Sequence, residues 1–121
     1  MNIALWILQV LLALHTGTGG AWKFTNSSAD MPSLAAIPPK VWVGMGVLEL
    51  LIAVALVLPA FSRSLAILAP IAAGLIGLEM LLFCALHLAS GDPNHGSLVY
   101  WLVVAGLCAL LAAGRYRMIY P

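Results

Sequence analysis

Charge is spread so thinly along this chain that it settles the fold class before any periodicity is read. Nine of 121 residues carry a formal charge, Lys23, Asp30, Lys40, Glu49, Arg63, Glu79, Asp92, Arg115 and Arg117, against a hydrophobic share of 64%. Soluble domains carry roughly a quarter charged residues, so a soluble enzyme is excluded. The intervals between the charges are long and apolar, and a hydrocarbon core of ~30 Å needs about 20 helical residues to cross it. Four stretches of that order are expected as spans, at 3–22, 41–61, 64–89 and 97–114, each bounded by a charge, a proline or a glycine. The expected fold is therefore all-α, an integral membrane four-helix bundle forming a single domain over residues 1–121.

The apolar run from Ile3 to Leu14 resembles the core of a secretory signal, but no basic residue precedes it and it continues to Trp22 and Lys23, which reads as a retained span. An even number of spans puts both chain ends on one side with Arg63, Arg115 and Arg117, opposite Lys23, Asp30, Lys40 and Asp92. The positive-inside rule assigns the side of the chain ends to the cytoplasm. A net charge of +1 offers no basic face to nucleic acid. Asn26-Ser27-Ser28 fits a glycosylation acceptor on the outward connection. Small residues recur every fourth position at Ala69, Ala73 and Gly77 and at Ala105, Ala109 and Ala113, which predicts two faces for close helix packing. Pro70 is expected to bend the third span. Cys84 and Cys108 form no Cys-x-x-Cys motif and read as small apolar residues.

Function is expected where the charge rule breaks. An ionisable side chain at bilayer depth costs ~2.5–3.5 kcal/mol even on insertion scales, and Glu49, Glu79 and His15 lie inside spans. Measured from the outward helix ends, they sit ~12, ~15 and ~10 Å deep. Three polar groups from three helices thus share one layer and converge on the bundle interior. Two carboxylates close together in a low dielectric cannot both ionise cheaply, so one keeps a proton while the other acts as a base, and an imidazole beside them relays or orients. Glu49, Glu79 and His15 are the candidate catalytic residues. A shallower tier of His87, Lys23, Trp22, Tyr100 and Trp101 is expected to line an outer mouth that takes an amphipathic ligand. His95 falls in a polar turn and is expected to face solvent. No cofactor is expected to be required, although one imidazole and two carboxylates suit a metal ion, and a proton-handling layer suits a quinone headgroup.

Met1-Asn2-Ile3-Ala4-Leu5-Trp6-Ile7-Leu8-Gln9, the Lys23-Phe24 pair, Val47-Leu48-Glu49-Leu50-Leu51 after a proline-rich lead, Leu56-Val57-Leu58-Pro59 and His87 together resemble the DoxX-like family of small membrane proteins. The resemblance covers nearly the whole chain. It implies a four-helix membrane bundle, with Glu49 as the characteristic acid of the second span and Lys23 and His87 as less specific matches. Roles in that family are diverse: a subunit tied to a quinone-reducing thiosulfate oxidoreductase, components of membrane redox complexes, and helpers of export or receptor assembly. His15 and Glu79 are additions to the family pattern and point to a specialised activity. The expected location is the inner (plasma) membrane of a bacterium.

Three functions follow. The first is acid–base chemistry on, or binding of, a lipophilic small molecule, with isomerisation, epoxide opening or cyclisation as suitable reactions. A second is a quinone-linked accessory subunit beside a redox partner protein, since the chain holds no dinucleotide fingerprint or haem-attachment motif. The third is a non-catalytic scaffold or chaperone. The partners expected are the lipid bilayer, the lipophilic molecule, and either a redox protein or further copies of the chain packed through the small-residue stripes.

Overall fold

The computed structural model describes residues 2–27 and 34–120. Four helices make up the fold: α1 (Asn2–Thr25), α2 (Pro39–Val57), α3 (Leu68–Ser90) and α4 (Gly96–Ile119). All four are long and apolar enough to cross a membrane, and no strand occurs among the described residues. Asp30 and Ser28 lie outside the described residues, and with them part of the outward charge and of the Asn26-Ser27-Ser28 motif.

Proline and glycine place the helix ends. Pro38 is extended (φ −61°, ψ 149°) and Pro39 opens α2, where its missing N–H costs nothing, while the Trp42 N–H donates to the Pro38 carbonyl at 2.9 Å. Pro59 lacks the donor for another α turn, so the chain tightens into 3₁₀ turns at Leu58–Ala60 and Arg63–Leu65. α3 then begins at Leu68 rather than at 64, which puts Pro70 in the first turn. N–H groups there have no intrahelical acceptor, so Pro70 does not bend the span as expected. Gly91 ends α3 in the left-handed region (φ 74°), where a side chain would be strained. The outer helices run past their expected limits. α1 continues through Lys23 to Thr25, and α4 continues through Arg115 and Arg117 to Ile119.

The helices close into a ring in which α1 packs along α2 and α3 along α4, with α2 against α3 and a sparser seam between α1 and α4. Polarity is inverted relative to a soluble bundle. Gln9, Thr16, Lys23, Glu49, His87 and Arg115 are buried, while Ile3, Leu14, Leu51, Leu78, Leu88 and Leu110 are among the exposed apolar side chains. Such a surface has no solvation cost against acyl chains. Ala69 and Ala73 are buried on α3, and a Cβ on Gly77 would sit 3.5 Å from the Cys108 Cβ, so this stripe does face a neighbour. The α4 stripe does not: Ala109 and Ala113 are exposed, and α4 packs through Trp101, Val104, Cys108, Leu111 and Arg115. The larger side chains claimed the interior there. Cys84 and Cys108 are free, buried thiols.

The tightest crossing is between α1 and α2. A Cβ on Gly20 would lie 2.8 Å from the Gly46 carbonyl oxygen, and one on Gly46 would lie 3.0 Å from that of Gly20. Only glycine at both positions permits this approach. Gly20→Ala should therefore lower stability by about 1–3 kcal/mol through overpacking, whereas Gly44→Ala, with nothing within 4 Å of its added Cβ, should leave it unchanged or slightly raised. Thermal unfolding of both variants in detergent checks the contrast; equal behaviour would show that the two helices do not cross at these glycines.

Candidate functional site

The glycine crossing brings Lys23 on α1 to Glu49 on α2. The Lys23 Nζ lies 2.9 Å from each Glu49 carboxylate oxygen, donating a hydrogen bond to Oε1, and the two residues are only 6% and 4% exposed. The ammonium also sits 4.7 Å from the centre of the Trp42 ring and 5.4 Å from that of Phe83. A charged pair withdrawn from water is stable only with close geometry and further electrostatic support, and the two aromatic faces supply that support. Trp42 is itself fixed by its indole N–H, which donates to the Asn26 carbonyl at 2.8 Å.

Glu79, from α3, lines the same cavity as Glu49. His15, from α1, bonds through Nε2 to the Tyr100 hydroxyl of α4. These groups line one cavity of about 190 Å3 together with Thr16, Gly19, Trp22, Lys23, Trp42, Phe83 and Trp101. Three buried polar atoms on its wall, His15 Nδ1, Thr16 Oγ1 and Glu79 Oε1, have no hydrogen-bond partner among the described residues. Each such atom costs about 1–3 kcal/mol when buried unsatisfied, so these three are the uncompensated polar groups of the cavity wall. Beyond the His15–Tyr100 contact, a second hollow of about 400 Å3 is lined by Leu14, His15, Thr18, Gly19, Trp22 and Tyr100. Trp22 and Tyr100 are 41% and 44% exposed there, so the hollow lies on the bilayer side of the α1–α4 seam.

The fold thus gathers Glu49, Glu79 and His15 from three helices. It also corrects the two-tier arrangement expected around them. Lys23, Trp22, Tyr100 and Trp101 belong to the same cavity rather than to a separate outer mouth. Lys23 is the counter-ion of Glu49 instead of a rim residue, because α1 does not end before it and the side chain turns inward. A clue to this lay in the sequence: Gln9, Thr16 and Lys23 recur every seventh residue, two turns apart on one helix face, and all three are buried. His87 is the member that does not join. It is wholly buried, packs edge-on against Trp101, and bonds through Nε2 to His95 Nδ1 at 2.9 Å. His95 is exposed as expected, yet it is tied down by this bond.

Among the described residues no cluster of three His, Cys, Asp or Glu side chains is placed to hold a metal ion. Lys23 is the cation paired with Glu49.

Removing one partner of the ion pair leaves a buried charge uncompensated, so Lys23→Met should cost about 3–5 kcal/mol. The double variant Lys23→Met, Glu49→Gln should recover much of that loss. Unfolding of the single and double variants measures the coupling; independent, additive effects would mean that the two side chains do not interact.

Comparison with curated proteins finds no match, and comparison with solved structures finds none either. A family model does match, that of the DoxX-like family, over residues 7–114. This range holds all of the cavity's ionisable residues and nearly all of the four helices, and the chain belongs to the DoxX-like family.

Proposed function

We propose that this DoxX-like membrane protein binds a lipophilic small molecule with a polar head in the Lys23–Glu49–Glu79–His15 cavity and exchanges a proton with it. The observation that carries this reading is the Glu79 carboxyl, which lines the cavity with Oε1 unpartnered beside an ion pair that is already balanced. One ammonium neutralises one carboxylate. The second carboxyl leaves the site neutral when it holds a proton, which is the least costly state in a medium of low dielectric. Glu79 is then the proton donor, Glu49, paired with Lys23, is the base, and His15 with Thr16 orients the head. The His15 tautomer follows from Tyr100: if the phenol donates to Nε2, Nδ1 presents an N–H to the cavity, and if Nε2 donates, Nδ1 accepts.

Size supports an elongated substrate. About 190 Å3 holds a small polar head or one ring, well under the ~300–1,000 Å3 of a pocket for a whole drug-sized ligand. The remainder would extend past His15 and Tyr100 into the hollow on the bilayer side, so the molecule arrives from lipid. Isomerisation, epoxide opening and cyclisation each need one acid and one base near a carbon skeleton. A second reading is favoured by the aromatic walls of Trp42, Phe83 and Trp101, which suit the flat ring of a quinone reduced by a partner protein; there the same groups would deliver protons rather than rearrange carbon.

Glu79→Gln keeps the shape and removes the exchangeable proton. It should fold normally and lose about 10²–10⁴-fold in turnover, the range for general acid–base catalysis. Organic extraction and mass spectrometry of ligand retained by the purified protein, before and after incubation with a membrane lipid extract, provides the assay. Unchanged conversion in Glu79→Gln would sink the acid–base reading, and recovery of a quinone with a second redox protein would favour the accessory-subunit one.

A further inference from the structure

Two hollows meet at the α1–α4 seam, and four residues line both. His15, Gly19 and Trp22 of α1 and Tyr100 of α4 face the polar cavity and also the hollow of about 400 Å3 on the bilayer side. They are therefore the partition between the two. Residues 15, 19 and 22 are spaced i, i+4, i+7, which sets them on one helix face. The His15–Tyr100 bond ties the seam at one level, with the ring centres 5.5 Å apart. Trp22 stands further along α1, edge-on to Trp42 at 6.0 Å between centres. At the rise of an α-helix these two levels are ~10 Å apart along the axis, and Gly19 lies between them.

Nothing is packed on Gly19. A Cβ added there would meet no atom within 4 Å, whereas one on Gly17 would lie 3.5 Å from the Ala53 Cβ and one on Gly20 would lie 2.8 Å from the Gly46 carbonyl oxygen. Gly17 and Gly20 are turned to α2, and Gly19 faces the seam. Glycine is the poorest helix former after proline. At Gly20 that cost is offset by the close crossing of two backbones; at Gly19 no contact offsets it. Gly44, Gly74 and Gly106 have the same open surroundings, but of these glycines only Gly19 lines either hollow. The missing side chain keeps a window free, framed by the His15–Tyr100 bond and by Trp22. Its outer wall suits hydrocarbon: Leu14 is apolar, and Thr18 satisfies its hydroxyl by donating to the Leu14 carbonyl at 2.6 Å.

We propose that Gly19 is the specificity-determining residue of this site, across which the apolar body of the ligand lies in the window while the polar head occupies the cavity. The width of body admitted is then fixed by the absence of a side chain at that position. This assignment rests on the cavity being the site of a lipophilic ligand that enters from the bilayer, as proposed above, and not on proton exchange there.

Access can be read without knowing the ligand. In a Cys84→Ala, Cys108→Ala background, Thr16→Cys puts a single thiol on the cavity wall. The probe is N-cyclohexylmaleimide dissolved in phosphatidylcholine vesicles that hold the full chain, with labelling followed by intact-mass spectrometry. Thr16→Cys should be labelled, and adding Gly19→Leu should slow the reaction about tenfold, a barrier change of about 1.4 kcal/mol. Gly19→Ala should slow it by a smaller factor with no loss of thermal stability, which keeps the test valid if leucine disturbs the seam. Gly44→Leu, at an open glycine away from the window, should leave the rate unchanged. A rate indifferent to both Gly19 variants would overturn the proposal, as would equal slowing by Gly44→Leu, or labelling of Thr16→Cys only by a charged, water-soluble maleimide. Glu79→Gln should not alter labelling. Labelling that responds to Gly19→Leu, with turnover that ignores Glu79→Gln, would keep the window and remove the acid–base chemistry. Turnover lost in Glu79→Gln, with labelling indifferent to the Gly19 variants, would do the reverse.

Discussion

A buried ion pair between the first two helices is the interaction on which this bundle depends. Lys23 and Glu49 could form it only because Gly20 and Gly46 let α1 and α2 approach to backbone contact one turn away. In a bilayer the unpaired alternative for either side chain is a charge facing hydrocarbon, so the pair selects the register of α1 on α2 more strongly than any apolar contact can. Lipid is as apolar as leucine, and apolar packing alone barely distinguishes one helix register from another. Trp42 and Phe83 close over the ammonium from α2 and α3, which carries the constraint on to the third helix. The chemistry of the cavity follows from the same pair. Glu79 stands on the cavity wall beside this balanced pair.

α1 carries a disproportionate share of this organisation. Gln9, Thr16 and Lys23 mark one face two turns apart, and each serves a different part of the interior. Gln9 joins α1 to the carbonyl of Leu56 at the end of α2 and to Arg115 on α4. Thr16 offers its hydroxyl to the cavity, and Lys23 locks onto Glu49. Its span is correspondingly the least apolar of the four, with a mean hydropathy of 1.4 against 2.1 to 2.5 for the others. The helix that looks weakest as a membrane span is the one through which the polar interior is connected.

The spans and the all-α class were legible in the sequence because the bilayer imposes them: length, apolar runs and breaks at Pro38, Pro59 and Gly91 act locally and need no tertiary information. The convergence of His15, Glu49 and Glu79 was legible too, since depth along a helix is a one-dimensional quantity at 1.5 Å per residue. What depth cannot supply is rotation about the helix axis. The mistaken α4 stripe of Ala109 and Ala113 came from reading small residues as an interface, when Trp101, Cys108 and Leu111 turned the opposite face inward. Lys23 and Arg115 were assigned to the edges because a charge is the ordinary sign of a helix end. Both lie inside helices and are buried, and each is held by a partner far away in sequence, Glu49 for one and Gln9 for the other.

The placement of the two arginines and of the acids has a consequence for how the cavity is reached. Glu49 and Glu79 share one pole with a single ammonium, which pairs with Glu49, while Arg63 and Arg115 gather at the other. No polar path between the poles is needed, because Leu12, Ile52, Ala73 and Leu111 fill the bundle between them. The acid–base cavity meets the outside through the α1–α4 seam, where His15 and Tyr100 stand between it and a hollow facing the acyl chains. A molecule that comes by that route has already partitioned into lipid, so selection for an apolar body occurs before binding. On the proposed reading only the head is left for the cavity to recognise, and its size and the three unpartnered polar atoms on its wall suit that task.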